Sequence, residues 1–187
     1  MNIDREELVR LTEEYGRQWG IMHTRRLLTL IDQIGAGQTY NADAVWVAAH
    51  LHDWGGYAPW LQEGVDHAVR SAQVAETFLK ERGYPDDFTR LVLECIAHHH
   101  SSSPDRCLEA ILLCDADALD FLGVVGALRD FSKNAKDMQK AYETVKKRRA
   151  SLPGKLVLET SKALAAPRLR RMDDLIAAFE EESFGCF

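Results

Sequence analysis

Apolar residues recur at three- and four-residue intervals along almost the whole chain, and no stretch alternates convincingly with the period of a strand. Asp4 is placed to cap a first helix that carries Leu8, Leu11 and Tyr15 on one stripe. A second helix from about Ile21 puts His23, Leu27, Leu30 and Ile34 on one face and ends at Gly35 and Gly37. A third starts after Asn41 or Asp43, runs through residues 45–53, and stops at the Gly55-Gly56 pair. After a loop containing Pro59, Asp66 opens a helix with Val69, Ala72, Ala75, Phe78 and Leu79 inward, closed by Gly83. Pro85-Asp86-Asp87 starts the next, on which Phe88, Val92, Cys95, Ile96 and His99 share a stripe. A polar loop over residues 101–105 leads into a long helix at about 108–131. It is hydrophobic nearly all round, the pattern of a helix through the middle of a core. Residues 134–151 read as a charged amphipathic helix broken by Leu152-Pro153-Gly154, and a last helical region follows Pro167. The expected fold is all-α, a compact helical bundle with a C-terminal helical extension.

Composition agrees with a globular chain: 187 residues, 46% hydrophobic and 28% charged, with only 5 Pro to interrupt helices. That length suits a single helical domain over 1–187, with a core at about 20–131 and C-terminal helices at 132–187. A net charge of −6 argues against a broad basic surface for nucleic acid, while leaving room for a pocket that holds one phosphate. The basic run Lys146-Lys147-Arg148-Arg149 sits among Asp137 and Glu143 and reads as a solvated face. Cys95, Cys107, Cys114 and Cys186 form no CxxC pair and read as reduced thiols packed as small hydrophobes. The first residues are too acidic and polar for a signal peptide, and no apolar run approaches the roughly 18 residues of a membrane span. A soluble, cytoplasmic protein is expected.

All seven histidines (23, 50, 52, 67, 98, 99 and 100) fall in the first hundred residues. His23, His52 and His99 lie on stripes that otherwise look buried, while Asp53, Asp115 and Asp117 lie on mostly apolar helices. A buried carboxylate needs a partner, and a metal ion bound by imidazoles supplies one. Adjacent helical residues point about 100° apart, so His52 and Asp53 can take neighbouring positions around one ion. His23 and an aspartate of the long central helix would complete a nitrogen and oxygen set. Helical phase leaves Asp115 and Asp117 equally eligible. Imidazole plus carboxylate suits Mn, Fe, Co, Ni or Zn, with Mg also open.

The ordered set His23, Leu51-His52-Asp53 and Asp117, the last in Cys114-Asp115-Ala116-Asp117-Ala118-Leu119-Asp120, resembles the HD superfamily of metal-dependent phosphohydrolases, whose pattern is H…HD…D on a helical bundle. The stretch 115–123, followed by Arg129-Asp130-Phe131, is similar to one branch of stand-alone HD-domain hydrolases, and the resemblance covers roughly residues 20–131. It implies Asp117 rather than Asp115 as the last ligand. His67, in Asp66-His67-Ala68-Val69-Arg70-Ser71-Ala72, matches an HxxxSA element that supplies a further histidine in many such proteins, and His99 aligns with the histidine after the following helix. These two would hold a second metal, contact a substrate phosphate, or serve structure. With both as ligands the set is His23, His52, Asp53, His67, His99 and Asp117. His98 and His100 read as loop or helix-end residues, and His50 as structural.

The resemblance implies one or two divalent ions and hydrolysis of a phosphate mono- or diester of a nucleotide or small metabolite. An ion there would polarise a phosphoryl oxygen and lower the pKa of its water toward ~7, giving a hydroxide to attack phosphorus in line. Asp53 would bridge two ions, and His67 or His99, where not ligands, would protonate the leaving oxygen. Arg26, Arg70 and Arg129 are candidate phosphate clamps, each with a solvated surface charge as the alternative. Trp54, Tyr57 and Trp60 could wall a pocket, with at least one of them core or loop anchor. The chain has Trp54-Gly55-Gly56 where some cyclic-dinucleotide phosphodiesterases carry Gly-Lys, and no GYP element follows His98-His99-His100, which sets that branch aside. Two other functions fit the same residues: a di-iron oxygenase on the HD fold, and a non-catalytic nucleotide-binding module.

Overall fold

The computed structural model of the chain describes residues 3–101, 103 and 105–187. Met1 and Asn2, at the start of the polar N-terminal segment, lie outside the described residues, as do Ser102 and Pro104 of the loop expected over 101–105. The all-α expectation holds: the described residues form eight α-helices and two short 3-10 turns, with no strand. Among them no helix is long and apolar enough to cross a membrane. The chain divides into two compact units, Met1–Cys114 and Asp115–Phe187, and the division falls within the fifth helix.

In the first unit, α1 (Arg5–Ile34) begins where the Asp4 carboxylate accepts the Glu7 backbone N–H at 2.9 Å. It is interrupted at Arg17, whose φ of 53° and ψ of −163° are not helical, so α1 is the two predicted helices joined at a kink. The second half buries Ile21, His23, Leu27, Leu30 and Ile34. Helix α2 (Ala42–Leu51) is capped by Asn41, which accepts from the Ala44 N–H. It stops earlier than the pattern predicts: His52 closes it, and Trp54–Gly56 tighten into a 3-10 turn through Gly56 N–H to the Asp53 carbonyl and Tyr57 N–H to the Trp54 carbonyl.

Helix α3 (His67–Glu81) starts on the Asp66 carboxylate, which accepts from Ala68 and Val69. Its buried stripe is Ala68, Ser71, Val74, Ala75, Phe78 and Leu79. Val69, expected inward, is 52% exposed, because the stripe is phased on Ala68 and Ser71 one step away. Helix α4 (Asp86–Ala97) buries Phe88, Val92, Cys95 and Ile96 as expected. Helix α3 packs on α4 and on the Trp54–Gly56 turn, and α2 on α1 and α4. Helix α5 (Leu108–Phe121) begins in this unit.

The second unit takes the rest of α5, then α6 (Val124–Lys133), α7 (Met138–Ser151), a 3-10 turn at Pro153–Lys155, and α8 (Glu159–Ser183). The single helix expected over 108–131 is two. Gly123 sits at φ +94°, a conformation that ends α5 and that side chains resist. A run that is apolar all round gives no phase change to mark such a break. Helix α8 starts eight residues before Pro167 and carries it inside, at the loss of one backbone hydrogen bond. Helix α7 begins only after Asp137, whose carboxylate caps the Lys140 N–H. In the basic run Lys146 pairs with Glu180, Arg148 with Asp130 and Arg149 with Asp173.

Candidate metal centre

All seven histidines occupy helix ends and turns of the first unit or face its interior, and five of them converge. The centre of the convergence is Asp53, whose side chain is 22% exposed while His23 and His52 are buried. Its Oδ2 lies 3.8 Å from His23 Nε2 and 3.5 Å from His52 Nε2, and its Oδ1 lies 3.8 Å from His67 Nε2. His67 Nε2 is in turn 3.3 Å from His99 Nε2 and 2.9 Å from His100 Nε2. Two sets of potential ligand atoms, each within 4.8 Å of one another, result: His23, His52 and Asp53, and His67, His99 and His100.

Glycine at position 55 makes this closeness possible. A Cβ there would meet the Ser71 backbone nitrogen at 2.3 Å and the His67 carbonyl oxygen at 2.7 Å. The turn after Asp53 therefore lies directly on the first turn of α3, and the Gly55 N–H donates to Ser71 Oγ at 2.8 Å. The Ser of the HxxxSA element thus fixes His67 beside the His-Asp step.

The imidazoles are anchored from behind. His52 Nδ1 donates to the Ala49 carbonyl at 2.9 Å, and His99 Nδ1 to the Ile96 carbonyl at 2.5 Å. With Nδ1 bonded in this way, Nε2 is the atom each ring turns to the cluster, and in the neutral tautomer it would present a lone pair there. His52 Nε2 is buried and finds no hydrogen-bond partner among the described residues; the Asp53 carboxylate lies 3.5 Å from it. A cation between these lone pairs would satisfy both, and backbone-oriented imidazoles are the usual posture of metal ligands. The donor set therefore fits a divalent ion.

His100 was not among the expected ligands. It lies in the turn after α4, where helical phase carries no information, and the only sequence signal was the unbroken run of three histidines. His98 closes α4. His50 stacks on Trp46 and donates Nδ1 to its carbonyl at 2.9 Å; burial pushes its pKa down to about 4, which keeps it neutral. In the second unit, the buried Asp115 carboxylate accepts the backbone N–H groups of Val157 and Leu158, just before α8. Asp117 is 4% exposed on the same helix.

The three candidate arginines are placed differently. Arg26 lies on α1 one helical turn after His23. Arg70 donates Nε to the Trp60 carbonyl and a terminal nitrogen to Gln73, and lines a cleft of about 350 Å³ with Tyr15, Trp54 and Trp60. Arg129, in the second unit, is buried, donates to Asp120 and covers the Phe121 ring. Of the aromatic residues, Trp54 is buried and stacks on Trp60 at 4.8 Å, so it anchors the loop. Tyr57 packs against Gly16 and Gly20 of α1.

The model of the HD domain matches residues 20–122, more than half of the chain. No curated protein sequence matches. Among solved structures, Bacillus subtilis YpgQ in complex with ADP is 24% identical with a TM-score of 0.73, over 96% of this chain and 98% of that one. An HD superfamily hydrolase from an uncultured Thermotogales bacterium is 24% identical with a TM-score of 0.69, over 95% and 92%. An HD-superfamily hydrolase of Bacillus thuringiensis is 19% identical with a TM-score of 0.72, over 96% of both. At these identities the likeness is one of fold, and the family match supplies the rest: the chain belongs to the HD-domain family.

Proposed function

We propose that this protein is a metal-dependent phosphohydrolase acting in the cytoplasm on a phosphate mono- or diester of a nucleotide or another small phosphorylated metabolite. The observation that carries the reading is the convergence of His23, His52, His67, His99 and His100 on and around Asp53, in two sets whose ligand atoms lie within 4.8 Å of one another or of its carboxylate. His52 and His99 have given their Nδ1 protons to backbone carbonyls, and their Nε2 atoms face a carboxylate and another imidazole. In this reading His23, His52 and Asp53 would hold one ion, and Asp117 is the further ligand that the resemblance implies. His67, His99 and His100 would hold a second. Bound divalent ions supply Lewis acidity toward a phosphoryl oxygen and lower the pKa of water.

The chain's own residues set the stage for that chemistry. Asp53 directs one carboxylate oxygen at each histidine set, which keeps the two at a fixed separation. Arg26, on the face of α1 that carries His23, Arg70, which donates to the Trp60 carbonyl, and Arg129, which donates to Asp120, are the candidate clamps for the substrate phosphate in this reading. A nucleotide is favoured as substrate by the ADP that YpgQ holds on a similar fold.

The test is reconstitution of the purified chain with Mn, Fe, Co, Ni, Zn or Mg in turn. Metal content is measured on the same samples that are assayed for phosphate release from nucleotides, phosphomonoesters and phosphodiesters. Turnover with at least one ion, abolished together with metal retention in His52→Ala, is the expected result. Redox-active iron with O₂ uptake and no phosphate release assigns the site to oxygenase chemistry instead. Bound metal with neither activity leaves a non-catalytic module.

A further inference from the structure

The cleft of about 350 Å³ beside Arg70 is separate from the histidine cluster: neither Asp53 nor any of the converging imidazoles lines it. Its floor is aromatic. Trp54 and Trp60 lie parallel, with centroids 4.8 Å apart and planes 3° from each other. Tyr15 meets Trp60 edge-on at 4.4 Å, and Phe78 meets Trp54 edge-on at 5.1 Å. The rim is polar, since Arg70, Gln73, Thr77 and Glu81 follow one another along one face of α3. The charges there are unevenly matched. Arg82 donates to both carboxylate oxygens of Glu7, at 2.9 and 2.7 Å, and its guanidinium covers the Phe78 ring at 3.6 Å. Glu81 is exposed and about three helical turns from Arg70. Arg70 is half-buried and donates to neutral groups, the Trp60 carbonyl at 2.8 Å and the Gln73 side-chain oxygen at 3.1 Å. Among the described residues no carboxylate pairs with it, and the buried Trp54 indole N–H likewise meets no acceptor.

We propose that this cleft binds a second ligand, a flat aromatic ring carrying an anionic group, independently of the metal centre. A wall of aromatic side chains with a few polar groups at its edge is the usual make-up of a small-molecule site, and the cleft has the volume for one. The rings offer faces and edges to a planar body, and Trp54 and Phe78 are already fixed by burial, so little rotamer freedom is lost on binding. Arg70 supplies the charge. Its Nε and one terminal nitrogen are committed, and its other terminal nitrogen remains for a carboxylate or phosphate oxygen. Gln73 holds Arg70 through its oxygen, which keeps its NH₂ group as a further donor on the same rim. A cationic ligand is refused, because the Arg82 guanidinium already covers Phe78 and Arg70 stands at the rim. A neutral ring would leave the Arg70 charge unmet. The same chemistry is found in a free aryl carboxylate and in a nucleoside monophosphate. The inference uses no metal and stands whether or not the phosphohydrolase reading does.

The test is titration of the full-length chain in EDTA, by calorimetry and saturation-transfer NMR. The probes are naphthylacetate, its neutral amide, naphthylethylamine and adenosine monophosphate. Saturable binding of naphthylacetate or adenosine monophosphate is expected, the tighter of the two naming the source. The amide is expected to bind roughly tenfold more weakly than the acid, and the amine not at all. Trp60→Ala and Arg70→Gln each weaken the anion by roughly tenfold, the worth of one aromatic stack or one charge-assisted hydrogen bond. Thr77→Trp fills the cleft from its exposed rim without altering the floor and abolishes binding. It decides the matter where Trp60→Ala fails to fold, and urea midpoints are read on every variant. His52→Ala binds as the unaltered chain does. No saturable binding of either anion, an amine bound as tightly as the acid, or binding that survives Thr77→Trp overturns the proposal. Binding that needs added metal, or that is lost in His52→Ala, also overturns it and returns Arg70 to the substrate site.

Discussion

Asp115 and Asp117 stand two positions apart on α5, so their side chains leave the helix in directions about 200° apart. One of those directions is now accounted for. The Asp115 carboxylate is spent on the backbone N–H groups of Val157 and Leu158. Asp115→Ala would leave those donors without their charged acceptor and is expected to cost about 3 kcal/mol, read from urea unfolding, with metal content unchanged. Asp117→Ala is expected to do the reverse, losing metal with a small shift in unfolding midpoint. The opposite pattern would exchange the two roles. Residue type and helical phase drew attention to His23, His52, Asp53 and His99, which lie on patterned helices or at their ends, while His67 entered only through the HxxxSA resemblance. They were silent on Asp115 against Asp117, which lie in a segment buried on all sides. They were equally silent on His100, in a turn where no period applies.

At the scale of elements, the contact between the Trp54–Gly56 turn and α3 decides whether two sets of ligands form one cluster. A methyl group at position 55 would collide with backbone atoms of His67, Arg70 and Ser71, which have no rotamer in which to escape. Gly55→Ala is therefore expected to cost about 1–3 kcal/mol in stability and to move Asp53 away from His67. Gly56 is the internal control: the nearest atom to a Cβ there is 3.9 Å away, and Gly56→Ala should leave both urea midpoint and metal content as they are. Capping chemistry made the helix starts legible: Asp4 and Asp66 each accept an N–H of the first turn, and of the two candidates Asn41 and Asp43 it is Asn41 that does. Helix ends were less so. The break at Gly123 hides in a uniformly apolar run, and Pro167 reads as a start although α8 absorbs it nine residues in.

For the molecule as a whole, acid should weaken the fold through His50. Its pKa is about 4 when folded against an ordinary 6.5, because burial disfavours the charged ring. Above pH 6.5 both states are neutral there and nothing is lost. As pH falls from 6.5 toward 4 the unfolded chain takes up a proton that the folded chain refuses, so stability declines by on the order of 3 kcal/mol and levels off below 4. Urea midpoints across pH 4–7 should show this slope, and His50→Phe should flatten it by about one proton's worth. The Gly55–Ser71 contact has one further consequence for the protein's history. It joins the HD step to α3 at the backbone, and the intervening chain at residues 61–64 is wholly exposed. Insertions there cost little closure entropy and leave the join untouched. The loop can therefore change in length and composition while the join between the His-Asp step and α3 is inherited intact.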